Sequence, residues 1–390
     1  MPPRVALNRS LLGDPALFPV ADKVESGERL TPADGALLFR TPDLIGLGSL
    51  ADASNRARYG DRVTFAANQH INPTNVCILR KTCVFCSYAR LPKEDGAYRY
   101  TLDQTLAEAA HATDSMTREF HIVGGLDMKA GLAYYVEMFR ALKQHHPQVH
   151  IKALTAVEIA HIARIEKMEV RDVLVTLREA GLDTMPGGGA EIFSTAVRAT
   201  IADRKLAGDE YLKVHQTAHE LGIRTNCTML YGHVESVADR IEHLGMLREL
   251  QDRTGGFLAY IPLAYHPDNN ELGETLHRQG TATSGFDDLR NLAVARLFFD
   301  NVPHIKTHWI MVTTFLSQTA LHFGVNDLEG TVMREKIYHE AGAHTPQAMT
   351  LEQILTLIRG AGKTPVERDS FYNTIRTFDD PAPTPEQRAA

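Results

Sequence analysis

Three of the four cysteines, Cys77, Cys83 and Cys86, fall within ten residues, in the segment Asn75-Val-Cys77-Ile-Leu-Arg-Lys-Thr-Cys83-Val-Phe-Cys86-Ser-Tyr88. A disulfide framework would need more cysteines, spread more widely, so this clustering points to metal ligation. Three thiolates on one short loop can each take one iron of a 4Fe–4S cube and leave the fourth iron without a protein ligand. An open coordination site lets a metal do chemistry instead of only holding structure. Two other uses compete. Structural zinc wants four ligands, commonly as two CxxC-type pairs, and the second pair is missing, since Cys227 is distant in the chain. A ferredoxin-like carrier would need a fourth cysteine nearby.

Other residues carry weaker signals. Gly124-Gly125 follows an apolar run, where glycines permit close backbone approach. Gly187, Gly188 and Gly189 read as exposed amides at a helix start, an anion site, with Glu191 placed for a hydroxyl or an ammonium. His233 and Glu235, at an expected strand end, are pocket candidates. His304, Lys306 and His308 alternate along a strand and so point one way; if that way is inward, Lys306 meets a substrate carboxylate. His215 and His219 share one helix face. Gln216 stands where a zinc-protease motif has Glu, and Tyr211, Ala218 and Leu221 surround the pair, so a structural role is expected.

These residues need a scaffold, and the pattern supplies one. From about residue 62 the chain alternates strand and helix. The expected strands are 63–71, 120–123, 150–154, 184–186, 225–230, 257–265 and 305–311, with a weak eighth at 322–325. Capping boxes open several helices, at Thr101-Leu-Asp-Gln104 and Thr350-Leu-Glu-Gln353, with a looser version at Ser284-Gly-Phe-Asp287. Alternation of this kind demands a parallel sheet with right-handed crossovers. The fold class is α/β. Eight units fit a closed (β/α)8 TIM-type barrel, with an open doubly wound sheet as the alternative. The barrel is expected over 61–375, preceded by a helical extension over 1–60 and followed by a flexible tail over 376–390, rich in proline toward its end. Barrel active sites lie at the C-terminal ends of the strands, and the cysteine loop, Gly124-Gly125 and Pro186–Glu191 all fall there.

Composition narrows the class further. The 390 residues carry a formal net charge of -7 and a pI near 6.2, which offers a polyanion nothing, so no nucleic-acid partner is expected. No run of about 18 apolar residues exists to cross a membrane. The first residues show no apolar core of signal-peptide length, and a cytoplasmic protein is expected.

Longer motifs sharpen the reading. They include Asn72-Pro-Thr-Asn75-Val-Cys77, Cys83-Val-Phe-Cys86, His121-Ile-Val-Gly-Gly125 and Met185-Pro-Gly-Gly-Gly-Ala-Glu-Ile-Phe193. Further along come His215-Gln-Thr-Ala-His219-Glu-Leu-Gly222, Thr225-Asn-Cys-Thr-Met-Leu-Tyr-Gly-His233-Val-Glu235 and Gly255-Gly-Phe257. With these, the chain from about 15 to 375 resembles the radical S-adenosylmethionine (SAM) enzymes, and among them the aminofutalosine (aminodeoxyfutalosine) synthase family of the futalosine route to menaquinone. The resemblance implies a barrel of the radical SAM kind. It implies a 4Fe–4S cluster on Cys77, Cys83 and Cys86, with SAM on the open iron. It places Gly124 and Gly125 at the methionine end of SAM and Tyr88 beside the adenine; Gly188 and Glu191, read from their own chemistry, are further expected cofactor contacts. Leu126 takes a place often held by Glu, so the acidic contact falls to Asp127.

The implied reaction adds the 5′-deoxyadenosyl radical to 3-[(1-carboxyvinyl)oxy]benzoate. Aryl migration and loss of carbon dioxide then give 6-amino-6-deoxyfutalosine, with SAM consumed and an electron supplied by a donor such as flavodoxin or ferredoxin. The alternatives are the cyclase of the same pathway, dehypoxanthine futalosine cyclase, and a deazaflavin-forming (FO synthase-like) relative. One departure stands out: five residues separate Cys77 from Cys83, where most radical SAM enzymes have three. Two extra residues add up to about 7 Å of reach, which a bulge at Arg80-Lys81 can absorb.

Overall fold

The structure is a computed structural model describing residues 5–111, 117–278 and 282–379. Ten strands are found among them: β1 Arg62–Phe65, β2 Asn68–Ile71, β3 Glu119–Ile122, β4 His150–Ala153, β5 Thr225–Tyr231, β6 Phe257–Ala264, β7 His304–Thr307, β8 Asp327–Leu328, β9 Thr364–Arg368 and β10 Thr374–Thr377. β2, β3 and β4 pair in parallel, as do β5, β6, β7 and β8. Three single bridges link the two sets into a ring. Lys152 pairs with Thr184, Met185 with Thr225, and Gln69 with Met333 beyond β8. The eight-membered ring is therefore β2, β3, β4, residues 184–185, β5, β6, β7 and β8, the closed (β/α)8 barrel.

The strand assignment differs from expectation in four places. The run 63–71 breaks at Ala66-Ala67, because the chain changes partners there: β1 pairs with β8 and β9, whereas β2 pairs with β3. The run 305–311 ends at Thr307 and turns into a short helix, Trp309–Val312. The eighth strand is the two-residue β8, not 322–325, which lies in the turn before it. A terminal hairpin, β9 and β10, attaches to β1, with the two strands antiparallel. Residues 376–378 therefore belong to the folded unit and not to a tail: Arg376 and Thr377 pair with β9, and Phe378 is buried against Phe65. Residues 380–390 lie outside the described residues.

The N-terminal segment folds as helices Phe18–Ser26, Pro32–Arg40 and Leu44–Tyr59. Thr31 and Asp34 form the capping box that their spacing predicts. Leu44–Tyr59 lies on the barrel helix Gly285–Phe298, and Pro32–Arg40 lies on Val237–Thr254. Arg29 adds ion pairs to Asp252 and Asp300. Among the described residues, no helix is long and apolar enough to cross a membrane.

The barrel interior is unusual. TIM-type interiors are ordinarily filled by Val, Ile and Leu. Here Glu119, Lys152, Lys306, Asp327 and Glu329 are all buried. They neutralise one another: Lys152 Nζ lies 2.6 Å from Glu119, Lys306 Nζ lies 3.4 Å from Asp327 and 3.2 Å from Glu329, and Arg368 lies 2.8 Å from Asp327.

Candidate active site

The cysteine loop leaves the C-terminal end of β2 and coils tightly. The Arg80 amide donates to the Cys77 carbonyl at 3.2 Å, Cys83 to Leu79 at 2.9 Å and Cys86 to Cys83 at 3.1 Å. These turns take up the two extra residues. Neighbours hold the loop on both sides. The Val84 amide donates to the Ile201 carbonyl at 3.0 Å, the Ile78 amide to Leu126 at 3.0 Å, and the Gly125 amide back to Thr74 at 2.8 Å.

Gly125 is required here. A Cβ at this position would sit 2.2 Å from the Val76 carbonyl oxygen. Gly187 is equally confined, with backbone atoms of Asn226 and Cys227 2.7 Å from a Cβ, whereas Gly188 has only the Thr155 methyl at 3.2 Å.

The result is a cavity of about 300 Å³ at the C-terminal rim, reaching down into the barrel. Cys77, Cys83 and Cys86 line it, together with Tyr88, Gly124, Gly125, Gly188 and Glu191. The three thiols are free and unbridged. Burial pushes the Cys83 thiol up to about 12 and the Cys77 thiol up as well, so each must lose a proton on binding iron. Among the described residues, no three His, Cys, Asp or Glu side chains converge on a point fit for one metal ion. The thiols instead share a cavity wall, a donor set that suits a cluster in which each thiolate takes a different iron.

Several expected residues lie elsewhere. Asp127 is buried outside the cavity, behind the cysteine loop, where its carboxylate pairs with Arg99 at 2.6 Å and accepts from the Lys129 amide at 2.9 Å. Glu235 accepts from the amides of Gly232 and His233 and from Arg240, just before the helix Val237–Thr254. His233 is buried beside it, with Nε2 3.1 Å from the Leu230 carbonyl. Neither residue lines the cavity; both secure the turn after β5.

Lys306 does point inward, but toward Asp327 and Glu329, below the cavity wall. Lys306→Met should therefore act on stability. Stripping one partner from a buried ionic group costs about 3–5 kcal/mol. A clear drop in the urea midpoint is expected; unchanged stability with lost activity would instead mark a ligand-binding lysine. Gly187–Gly189 are not at a helix start, because the next helix begins at Thr195. His215 and His219 both bond Thr225 Oγ1 at 2.8 Å and are structural.

Other lining residues went unnoticed in the sequence. Lys205 pairs with Glu191 at 2.5 Å beside the cysteines and lies over the Phe85 ring. Although its burial disfavours charge, Glu191 keeps its ammonium above the ordinary lysine range. Glu158 accepts from the Gly124 amide at 2.9 Å while capping its own helix at Thr155, and burial pushes its carboxyl up to about 7. Thr155-Ala-Val-Glu158 is a capping-box pattern and was the available signal. His70, His121, His308 and Glu329 line the deep end.

Known proteins are similar to this chain in sequence and in fold. The sequence pattern of the radical SAM superfamily matches residues 71–247, and that of the CofH/MqnC C-terminal region matches 254–380. An aminodeoxyfutalosine synthase of Thermus thermophilus is 45% identical, over 94% of this chain and 98% of its own.

The chain belongs to the radical SAM superfamily. It is a radical SAM transferase that works with a 4Fe–4S cluster and S-adenosylmethionine. A 5-amino-6-(D-ribitylamino)uracil–L-tyrosine 4-hydroxyphenyl transferase of Methanopyrus kandleri is 41% identical over 92% of this radical SAM chain and 95% of its own. In fold, this radical SAM enzyme is similar to a crystal structure of methylornithine synthase (PylB), with a TM-score of 0.70 over 89% of this chain and 97% of that one, at 17% identity.

Proposed function

We propose that this radical SAM enzyme is an aminodeoxyfutalosine synthase. It joins the adenosyl carbon of SAM to the vinyl carbon of 3-[(1-carboxyvinyl)oxy]benzoate, releasing methionine and carbon dioxide and leaving 6-amino-6-deoxyfutalosine. The observation that carries the reading is the 45% identity to an aminodeoxyfutalosine synthase along nearly the whole of both chains. The cavity adds support. It is lined by far more apolar than polar surface, as a dry site for a reactive radical requires.

Each part of the cavity then has a task. Cys77, Cys83 and Cys86 would hold the cluster, which when bound supplies the electron that splits the sulfonium. Gly124 and Gly125 let their turn pack directly on the backbone of the cysteine loop, and Tyr88 and Glu191 would meet SAM from the cavity wall. Tyr88 is held rigid by its hydroxyl, 2.7 Å from that of Tyr98 and 3.2 Å from the Thr74 carbonyl. Lys205 keeps a fixed positive charge near three thiolates, which lowers the cost of gathering them. A one-electron donor such as flavodoxin or ferredoxin recharges the site.

The test is anaerobic turnover of the reconstituted protein with SAM, dithionite and the enol-ether benzoate. Mass spectrometry should show the adenosyl adduct lacking carbon dioxide. Methionine release without that adduct would remove the synthase assignment and turn attention to the ribitylaminouracil–tyrosine reaction named for the Methanopyrus relative.

A further inference from the structure

Below the rim, the cavity ends against three imidazoles. His70 lies in β2 and His121 in β3, paired in register, with their rings stacked at 4.7 Å; His308 follows β7. His70 Nε2 and His308 Nδ1 are buried and have no hydrogen-bond partner within the protein, although each residue is only 8% exposed. Buried polar atoms are rarely left this way, and both rings border one cavity, so a ligand toward which they turn can supply the missing bonds.

The proposed substrate has a group to match. Its aryl carboxylate is meta to the enol ether on the ring and lies at the far end of the molecule from the vinyl carbon that must meet SAM. With the vinyl group at the cysteine end, this carboxylate reaches the deep end. We propose that His70, His121 and His308 seat the aryl carboxylate of the substrate, and that filling the seat draws one proton from solvent onto the imidazoles. The inference rests on the synthase reading.

The proton follows from the surrounding charges. Glu329 accepts from Asn68 Nδ2 at 2.8 Å and from Lys306, and lies 4.0 Å from His308 Nε2. Glu335 accepts from His339 Nδ1 at 2.8 Å and from the Tyr338 amide at 2.9 Å. Glu119, which faces His121, is matched by Lys152, and Lys306 is divided between Asp327 and Glu329. Arg368 takes up the rest of Asp327, and Glu329 and Glu335 both line the cavity, so no fixed positive charge is left over for an incoming anion and the proton must come from solvent. Burial keeps all three histidines below their ordinary range, hence neutral, until a carboxylate arrives and favours the protonated form.

The experiment uses the anaerobic, cluster-loaded enzyme. Titration calorimetry with 3-[(1-carboxyvinyl)oxy]benzoate, in two buffers of different ionisation enthalpy, should show uptake of about one proton per ligand. KM should rise about tenfold per pH unit once the free imidazoles are neutral, from below pH 6.5 upward, and level off where the bound form also loses its proton. His308→Ala and the milder His70→Gln should each raise KM about tenfold or more, with kcat changed only a few-fold, and should abolish the proton uptake. Circular dichroism and a urea midpoint close to those of the wild type show that both variants fold. Zero uptake by the wild type, or unchanged KM in both folded variants, would overturn the proposal. A wild type that releases methionine but forms no adduct would instead defeat the synthase reading beneath it.

Discussion

Cys83→Ala abolishes product formation and SAM cleavage while leaving a folded barrel. Cys83 is buried at the base of the loop, facing the cavity with Cys77 and Cys86, whereas Cys227, the one other cysteine, lies on β5 between the lining residues Asn226 and Thr228 and turns its thiol away to the Ala259 carbonyl. No spare thiol can take its place. The backbone bonds of Cys83 to Leu79, and of Val84 to Ile201, do not involve the sulfur, so circular dichroism should stay that of the wild type. Cys227→Ala is the control. Its thiol is buried and reaches only the Ala259 carbonyl, at 3.6 Å, so it acts as a small apolar filler. Replacing it should cost about 1 kcal/mol and spare activity. Retained SAM cleavage in Cys83→Ala would contradict the ligand assignment.

Gly125→Ala is expected to be nearly as damaging without touching any reacting group. The added methyl would meet the Val76 carbonyl oxygen at 2.2 Å and its carbon at 2.7 Å. Both are backbone, so relief requires moving the residue that precedes Cys77. The Gly125–Thr74 and Ile78–Leu126 hydrogen bonds that pin the loop would go with it. Iron content after reconstitution and methionine release should both fall steeply. Gly245→Ala, on the helix Val237–Thr254, meets nothing within 4 Å, and should lose little. Equal behaviour of the two variants would refute the view that Gly125 sets the loop.

Much of the lining of the candidate site could be read from the chain because its signals are local. Cys77, Cys83, Cys86 and Tyr88 share one loop, and Gly124, Gly125, Gly188 and Glu191 follow strands, so barrel logic alone puts them on one rim. The deep end was not legible. Glu119, Lys152 and Asp327 sit at interior positions where apolar residues are the rule, and only pairing across strands explains them; Lys306 could be read as facing inward, but not its partners. His233 and Glu235 misled for a related reason: a strand end suggests a pocket, but these side chains are spent on holding the turn and on Arg240. Asp127 follows the Gly-Gly turn yet rotates away to Arg99. The eighth strand escaped notice because Asp327–Leu328 is too short and too polar to show a period, and the β9–β10 hairpin because it lies beyond the repeating unit.

The central claim is a cluster bound through Cys77, Cys83 and Cys86 with one iron left open for SAM. Electron paramagnetic resonance of the anaerobically reconstituted, dithionite-reduced protein tests it most directly. A reduced 4Fe–4S signal that changes shape when SAM is added is the predicted result. A signal indifferent to SAM, or a loop that takes up zinc and no iron, would contradict it.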